Sequence, residues 1–257
     1  MGLEQLSISS LITWLITHIA PVFLVTSPVT SYGDQIYAMH RSRSSAGFSL
    51  DIPLIMLVAS ILKLFYWLGA HYDMSLLLQA GLMVIVQSVL LHVALQNRPP
   101  SRAANTPFAG SANGDSVAKR PFNFWQWRLA RPYWKFLGYY SLTLLILQAI
   151  FGQTPWFTAL QGYIALSIEA TLPLPQILSN QRNRSCKGFR LSVLANWLLG
   201  DAMKMCFFFL ADSTIPWSFK LCGLFQASCD SYLGVQYWMF GEGVSEDETL
   251  GKDMRLS

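Results

Sequence analysis

Residues 34–63 read DQIYAMHRSRSSAGFSLDIPLIMLVASILK, and residues 175–204 read PQILSNQRNRSCKGFRLSVLANWLLGDAMK. At an offset of 141 the two stretches lie on one another without a gap over 30 positions. Gln35 meets Gln176, Arg41 meets Arg182, Arg43 meets Arg184 and Ser44 meets Ser185. Gly47-Phe48 then meets Gly188-Phe189, Leu50 meets Leu191, and Lys63 meets Lys204. Apolar residues coincide by chance in any two hydrophobic helices, whereas matched Arg, Gly and a Lys inside an apolar run do not. Each copy is a basic turn followed by an apolar helix, and the chain contains it twice.

The composition around these copies fits a membrane. Of 257 residues 53% are hydrophobic and 12% charged, where a soluble domain carries about 25% charged residues. Mean hydropathy is +0.36. Such a chain is neither disordered nor a basic nucleic-acid binder nor an ordinary soluble enzyme. A spanning helix needs about 20 mostly apolar residues, and seven runs qualify: Leu11–Tyr32, Leu50–Leu68, Met74–Leu95, Tyr133–Phe151, Trp156–Ile177, Leu191–Leu210 and Ile215–Phe240. The N-terminal run follows Glu4 with no Lys or Arg before it, which favours a retained first helix over a cleaved signal.

The repeat turns these runs into an architecture. The expected fold is all-α and integral to the membrane, with seven transmembrane helices. Two parallel three-helix bundles, at 1–95 and 152–240, are joined by a linker helix at 133–151. An odd linker is required, because two three-helix units in tandem would otherwise face opposite ways. Parallel repeats about an axis normal to the membrane are a known transporter plan. A polar stretch at 96–132 and an acidic tail at 241–257 complete the chain. Residues 97–120, rich in Pro, Ser, Ala, Asn and Gly, read as a disordered linker.

Basic residues set the orientation. Arg41 and Arg43 follow the first run, Arg98, Arg102, Lys119, Arg120, Arg128 and Arg131 the third, and Arg182, Arg184, Lys187 and Arg190 the fifth. The connections after the second, fourth and sixth runs have no Lys or Arg. The basic loops face the cytosol, so the N-terminus is expected on the lumenal side and the tail, with Glu242, Glu246, Asp247 and Glu248, in the cytosol. The sequon Asn183-Arg184-Ser185 then lies where no glycan is added. The aromatic segment Phe122, Phe124, Trp125, Trp127, Tyr133 and Trp134, interleaved with Arg128 and Arg131, reads as an interfacial belt.

Candidate functional residues are the charges inside apolar runs. Asp201 and Lys204 share a face of the sixth run, Lys63 is the repeat partner of Lys204, Glu169 lies in the fifth run and Asp230 in the seventh. Each costs about 2.5–3.5 kcal/mol to insert, so they imply a polar interior, either mutually paired or forming a path for a zwitterionic substrate. Asp34 stands at the matching turn of the first copy. Pro175 removes a helix hydrogen bond and is expected to kink or end the fifth helix. With Gln176, Gln35 and Pro28 it forms a candidate hinge. Asp51, opening the second run, fits a helix cap. The four cysteines form no CxxC pair, and no nucleophile motif, phosphate loop or metal constellation is present. No enzyme activity, cofactor, metal or nucleic-acid partner is expected.

Pro175-Gln176, the basic turn and Gly188-Phe189 resemble the PQ-loop motif, and the three-one-three plan is similar to that of cystinosin, the SWEET sugar carriers and the KDEL receptor. The resemblance spans about residues 15–240. The first copy departs from it with Asp34-Gln35 in place of Pro-Gln; Pro28 lies upstream. Ala46-Gly47-Phe48-Ser49, Phe124-Trp125-Gln126-Trp127, Gly200-Asp201-Ala202-Met203-Lys204 and Cys222-Gly223-Leu224-Phe225-Gln226 resemble the fungal scramblase branch of that family and its animal relative. The branch resemblance implies ATP-independent movement of phosphatidylserine and phosphatidylethanolamine between leaflets of Golgi and endosomal membranes, opposing P4-type flippases. The wider family implies, as alternatives, a proton-coupled carrier of an amino-acid-like solute or a sorting receptor.

Overall fold

The computed structural model describes residues 14, 18–45, 50–98, 124, 125, 127, 129–186, 191–210 and 215–241. Among them are eight α-helices and no strand: α1 (Ala20–Ser42), α2 (Asp51–Ala70), α3 (Met74–Gln96), α4 (Arg131–Phe151), α5 (Pro155–Ala170), α6 (Pro173–Asn183), α7 (Leu191–Leu210) and α8 (Trp217–Phe240). By length and apolarity α2, α3 and α4 can each cross a membrane, and the chain is an all-α membrane protein. Gly47-Phe48, Gly188-Phe189, Gln126, the linker at 99–123 and the acidic tail lie outside the described residues.

Local chemistry sets the boundaries. Asp73 caps α3, its Oδ1 accepting from the Ser75 N–H at 2.8 Å. Pro155 opens α5, where its missing N–H costs nothing. Pro216 stands just before α8. The first apolar run was expected to end at Tyr32, but α1 runs on to Ser42. Hydropathy marks where hydrocarbon ends, whereas a helix continues through polar residues until something stops it.

Two differences concern prolines. α1 passes through Pro28 unbroken. Pro28 has no N–H for the Leu24 carbonyl, and the Ser27 hydroxyl donates to that carbonyl instead, at 2.8 Å. The fifth apolar run does break, but at Thr171 and Leu172, ahead of Pro175. Pro173 is the first residue of α6 and Pro175 falls in its first turn. N–H groups there have no intrahelical acceptor, so neither proline removes a bond from α6.

Packing assembles the helices around two apolar clusters. α3 packs between α1 and α2, and α8 contacts both α6 and α7. The two sets join where α2 packs on α5, α5 on α8 and α1 on α7. One cluster gathers Met39, Leu50, Leu57, Leu90, Leu91, Trp125 and Tyr133. The other gathers Leu24, Tyr66, Tyr72, Leu76, Leu166, Phe207, Phe208 and Phe219. α4 lies on α2 and turns Tyr139, Leu142, Leu145, Ile146 and Ile150 outward. An exposed apolar face of this kind suits lipid.

Two backbone features recur at or close to the sequence offset. Arg43 closes α1 in the left-handed region at φ 50°, ψ 31°, and Arg184 closes α6 at φ 50°, ψ 33°. The Ser45 N–H donates to the Asn97 carbonyl at 2.9 Å, and the Cys186 N–H donates to the Gly241 carbonyl at 3.0 Å.

Candidate functional site: a charged crevice

Lys63, on α2, sends Nζ to Glu169 Oε2 on α5 at 2.7 Å. Both side chains are largely buried, 4% and 14% exposed. Neither charge is tolerable there alone. Removing a buried partner strands the other ion, whereas pairing offsets much of the desolvation cost. Lys204, on α7, also acts electrostatically on Glu169. Its Nζ donates to Gln226 Oε1 on α8 at 3.1 Å and lies 3.5 Å from Asp201 Oδ1 on its own helix. The two lysines of the sequence repeat thus stand near one another, Lys63 paired with Glu169 and Lys204 with Asp201 and Gln226.

Behind Lys204 two carboxyl groups meet. Asp230, buried on α8, interacts with Asp201 and with Lys204. Asp201 Oδ2 and Asp230 Oδ1 are buried without a hydrogen-bond donor among the described residues. Ionised carboxylates are acceptors only, so a proton is what lets one of these groups donate to the other.

A small crevice opens beside the charges. Lys63, Glu169 and Lys204 line it with Gln79 and Gln226, and Leu76, Leu166, Phe208, Phe219, Cys222 and Gly223 supply its apolar wall. Gln79 is held by α1, its Nε2 donating to Ser27 Oγ at 3.2 Å. Tyr32, also on α1, interacts with Gln87 and with Glu169.

Close contacts pack α2 against α5 and α8. A methyl on Gly162 of α5 would meet the Tyr66 ring at 2.6–2.9 Å, and one on Gly69 of α2 would collide with the Thr158 side chain. Tyr66 Oη and Ser218 Oγ are 3.3 Å apart, tying α2 to α8. The Tyr72 hydroxyl donates to the Lys63 carbonyl at 2.9 Å. Small residues here bring α2 and α5 into close contact.

Of the residues singled out in the sequence, Lys63, Glu169 and Lys204 line the crevice and Asp201 and Asp230 lie behind it. Asp34 and Gln35 are exposed on α1 and do not line it. Pro28 is buried within α1. Gln176 joins a chain of amides: its Nε2 donates to Asn180 Oδ1 at 2.8 Å, Asn180 Nδ2 donates to Gln236 Oε1 at 3.3 Å, and Gln236 Nε2 donates to the Ile177 carbonyl at 3.1 Å. These bonds pin α6 to α8. The sequence reading named neither Gln79 nor Tyr32 and gave Gln226 only within the branch motif; a polar residue inside an apolar run was the available signal.

The PQ-loop repeat family matches residues 35–76 and 158–217. The first region runs from α1 through α2 to the start of α3, and the second from α5 to the start of α8. A Saccharomyces cerevisiae protein described as Scramblase ANY1 is 28% identical over 287 aligned positions, covering 87% of this chain and 71% of the yeast protein.

Proposed function

We propose that this PQ-loop repeat protein is an ATP-independent phospholipid scramblase whose headgroup path is the crevice between its two halves. One observation carries the reading: lysines at equivalent places in the two copies, Lys63 and Lys204, line one opening together with Glu169. A lone structural ion pair needs no such opening. A zwitterionic or anionic headgroup needs cation and carboxylate side by side, with an apolar flank along which acyl chains remain in hydrocarbon. Similarity to a protein described as a scramblase supports the same conclusion.

In this reading the chain crosses the membrane seven times, as two parallel three-helix units with α4 as the inverting linker. The matched Arg43 and Arg184 stops and the paired links from Ser45 to Asn97 and from Cys186 to Gly241 support the repeat. The basic loops and acidic tail face the cytosol. Phosphatidylserine and phosphatidylethanolamine are the substrates, in Golgi and endosomal membranes where P4-type flippases work in the opposite sense. The hinge lies at Thr171 and Leu172, where the helix is interrupted, with Pro175 and Gln176 just beyond it on α6.

The carboxyl pair Asp201 and Asp230 favours a second reading, a proton-coupled carrier of a small amino-acid-like solute. Reconstitution separates the two. In liposomes with fluorescent phospholipid in both leaflets, dithionite quenching that proceeds past the outer-leaflet pool without ATP is the scramblase result. Quenching that stops at the outer leaflet, with amino-acid uptake driven by a pH gradient, is the carrier result. Neither activity points to a sorting receptor.

A further inference from the structure

We propose that Trp125, Trp127 and Tyr133 form a releasable latch that holds one end of the first helical unit closed, with Trp125 as the group that docks. The inference rests on the scramblase reading for its effect on rate. The Trp125 side chain is completely buried, and its indole N–H donates to the Leu50 carbonyl at 2.7 Å. Leu50 is the residue that opens α2. In the same cluster lie Met39 from the end of α1 and Val93 and Ala94 from the end of α3. The indole thus ties the start of α2 into a cluster shared by the ends of α1 and α3.

A separate set of bonds keeps the segment in place. Arg98, just past α3, donates from Nη1 to the Trp127 carbonyl at 2.7 Å and from Nη2 to the Tyr133 hydroxyl at 3.0 Å. That hydroxyl lies 3.2 Å from the Trp125 carbonyl and 3.1 Å from the Trp127 carbonyl, and its one proton serves either. The Tyr133 ring meets the Trp125 ring edge-on, centroids 4.7 Å apart.

Two features mark this as a latch instead of a permanent seal. First, the Trp125 backbone sits at φ 58°, a region bulky residues avoid. Such a conformation persists only while its surroundings enforce it, so undocking relieves it. Second, the corresponding end of the other half is joined by its own residues, through the Cys186–Gly241 backbone bond and the Gln176–Asn180–Gln236 amides. The first unit borrows its closure from a segment beyond α3. Release of Trp125 frees the ends of α1, α2 and α3 to separate and widens access to the crevice.

The test uses the full chain in liposomes, comparing wild type with Trp125→Ala, Arg98→Gln and Tyr133→Phe. Dithionite quenching reads scrambling, and maleimide labelling of an added Met39→Cys reads opening directly, against the native cysteines as background. Trp125→Ala and Arg98→Gln are expected to raise both rates about three- to tenfold, the shift in an opening equilibrium that loss of one hydrogen bond produces. Variants that keep the wild-type melting temperature and show Met39→Cys labelling no faster than in the latched protein overturn the latch. Faster labelling without faster scrambling leaves the latch standing and removes its role in transport. A wild type that does not scramble fails the functional reading, while the labelling still decides the latch. Arg98→Gln and Tyr133→Phe, which leave the indole in place, carry the test if Trp125→Ala does not fold.

Discussion

Lys63 and Glu169 are 106 positions apart and meet at 2.7 Å where α2 packs on α5. Truncating one member strands a buried charge, which costs about 3–5 kcal/mol. Glu169→Leu is therefore expected to lower the melting temperature sharply. Lys63→Leu combined with Glu169→Leu is expected to recover most of the stability while leaving scrambling impaired. Detergent melts and lipid flux measured on the same preparations separate a role in folding from a role in transport, and equal flux in the stable double variant rejects the latter. Cys186 offers a check outside the spans. Burial pushes its thiol above the usual range, so at neutral pH the thiolate is scarce and the sulfur enclosed. Mass spectrometry should find it unmodified by iodoacetamide in folded protein and modified after denaturation. The charges themselves were legible in the sequence, because Asp, Glu and Lys stand out in an apolar run. Their pairing was not: Asp201 and Lys204 are neighbours on one turn, but Lys63 finds Glu169 only when α2 and α5 pack. Gln79 was overlooked, and Gln226 stood only within the branch motif, because an uncharged amide costs less to insert and stands out less.

At the scale of the helix, proline and glycine trade places with expectation. A proline in an apolar run suggests a break, yet α1 carries Pro28 through because Ser27 serves the carbonyl it abandons. Ser27→Ala leaves that carbonyl without its donor and is expected to cost about 1 kcal/mol, read as a lower melting temperature. Pro175→Ala, in the first turn of α6 where no N–H is needed, is expected to change stability by less than about 0.5 kcal/mol. A large loss there would put the break at Pro175 after all. Gly162→Ala drives a methyl into the Tyr66 ring and is expected to destabilise by about 1–3 kcal/mol. The apolar runs that became α2, α3 and α4, each long enough to cross a membrane, were readable from hydropathy. The Thr171–Leu172 interruption was not, since neither residue breaks a helix by its own preference. The segment at Trp125 read as an interfacial belt on composition, but Trp125 and Tyr133 are buried. Aromatic residues that suit a lipid boundary suit a protein core equally well.

For the whole molecule, the orientation makes its own prediction. In the proposed orientation Asn183, between Arg182 and Arg184, lies in the cytosol, so expression in a glycosylating host should leave it unmodified; a glycan on Asn183 reverses the topology. In the proposed reading, a polar crevice shared by the two halves gives a route between leaflets that needs no energy input and works in both directions. The most direct measurement of that route is dithionite quenching in liposomes, without ATP, for wild type, Lys204→Ala and Asp201→Ala. The account predicts quenching beyond the outer-leaflet pool by wild type and slower quenching by both variants at equal reconstituted amounts. Wild-type quenching that halts at the outer leaflet, or well-folded variants that match the wild-type rate, would contradict it.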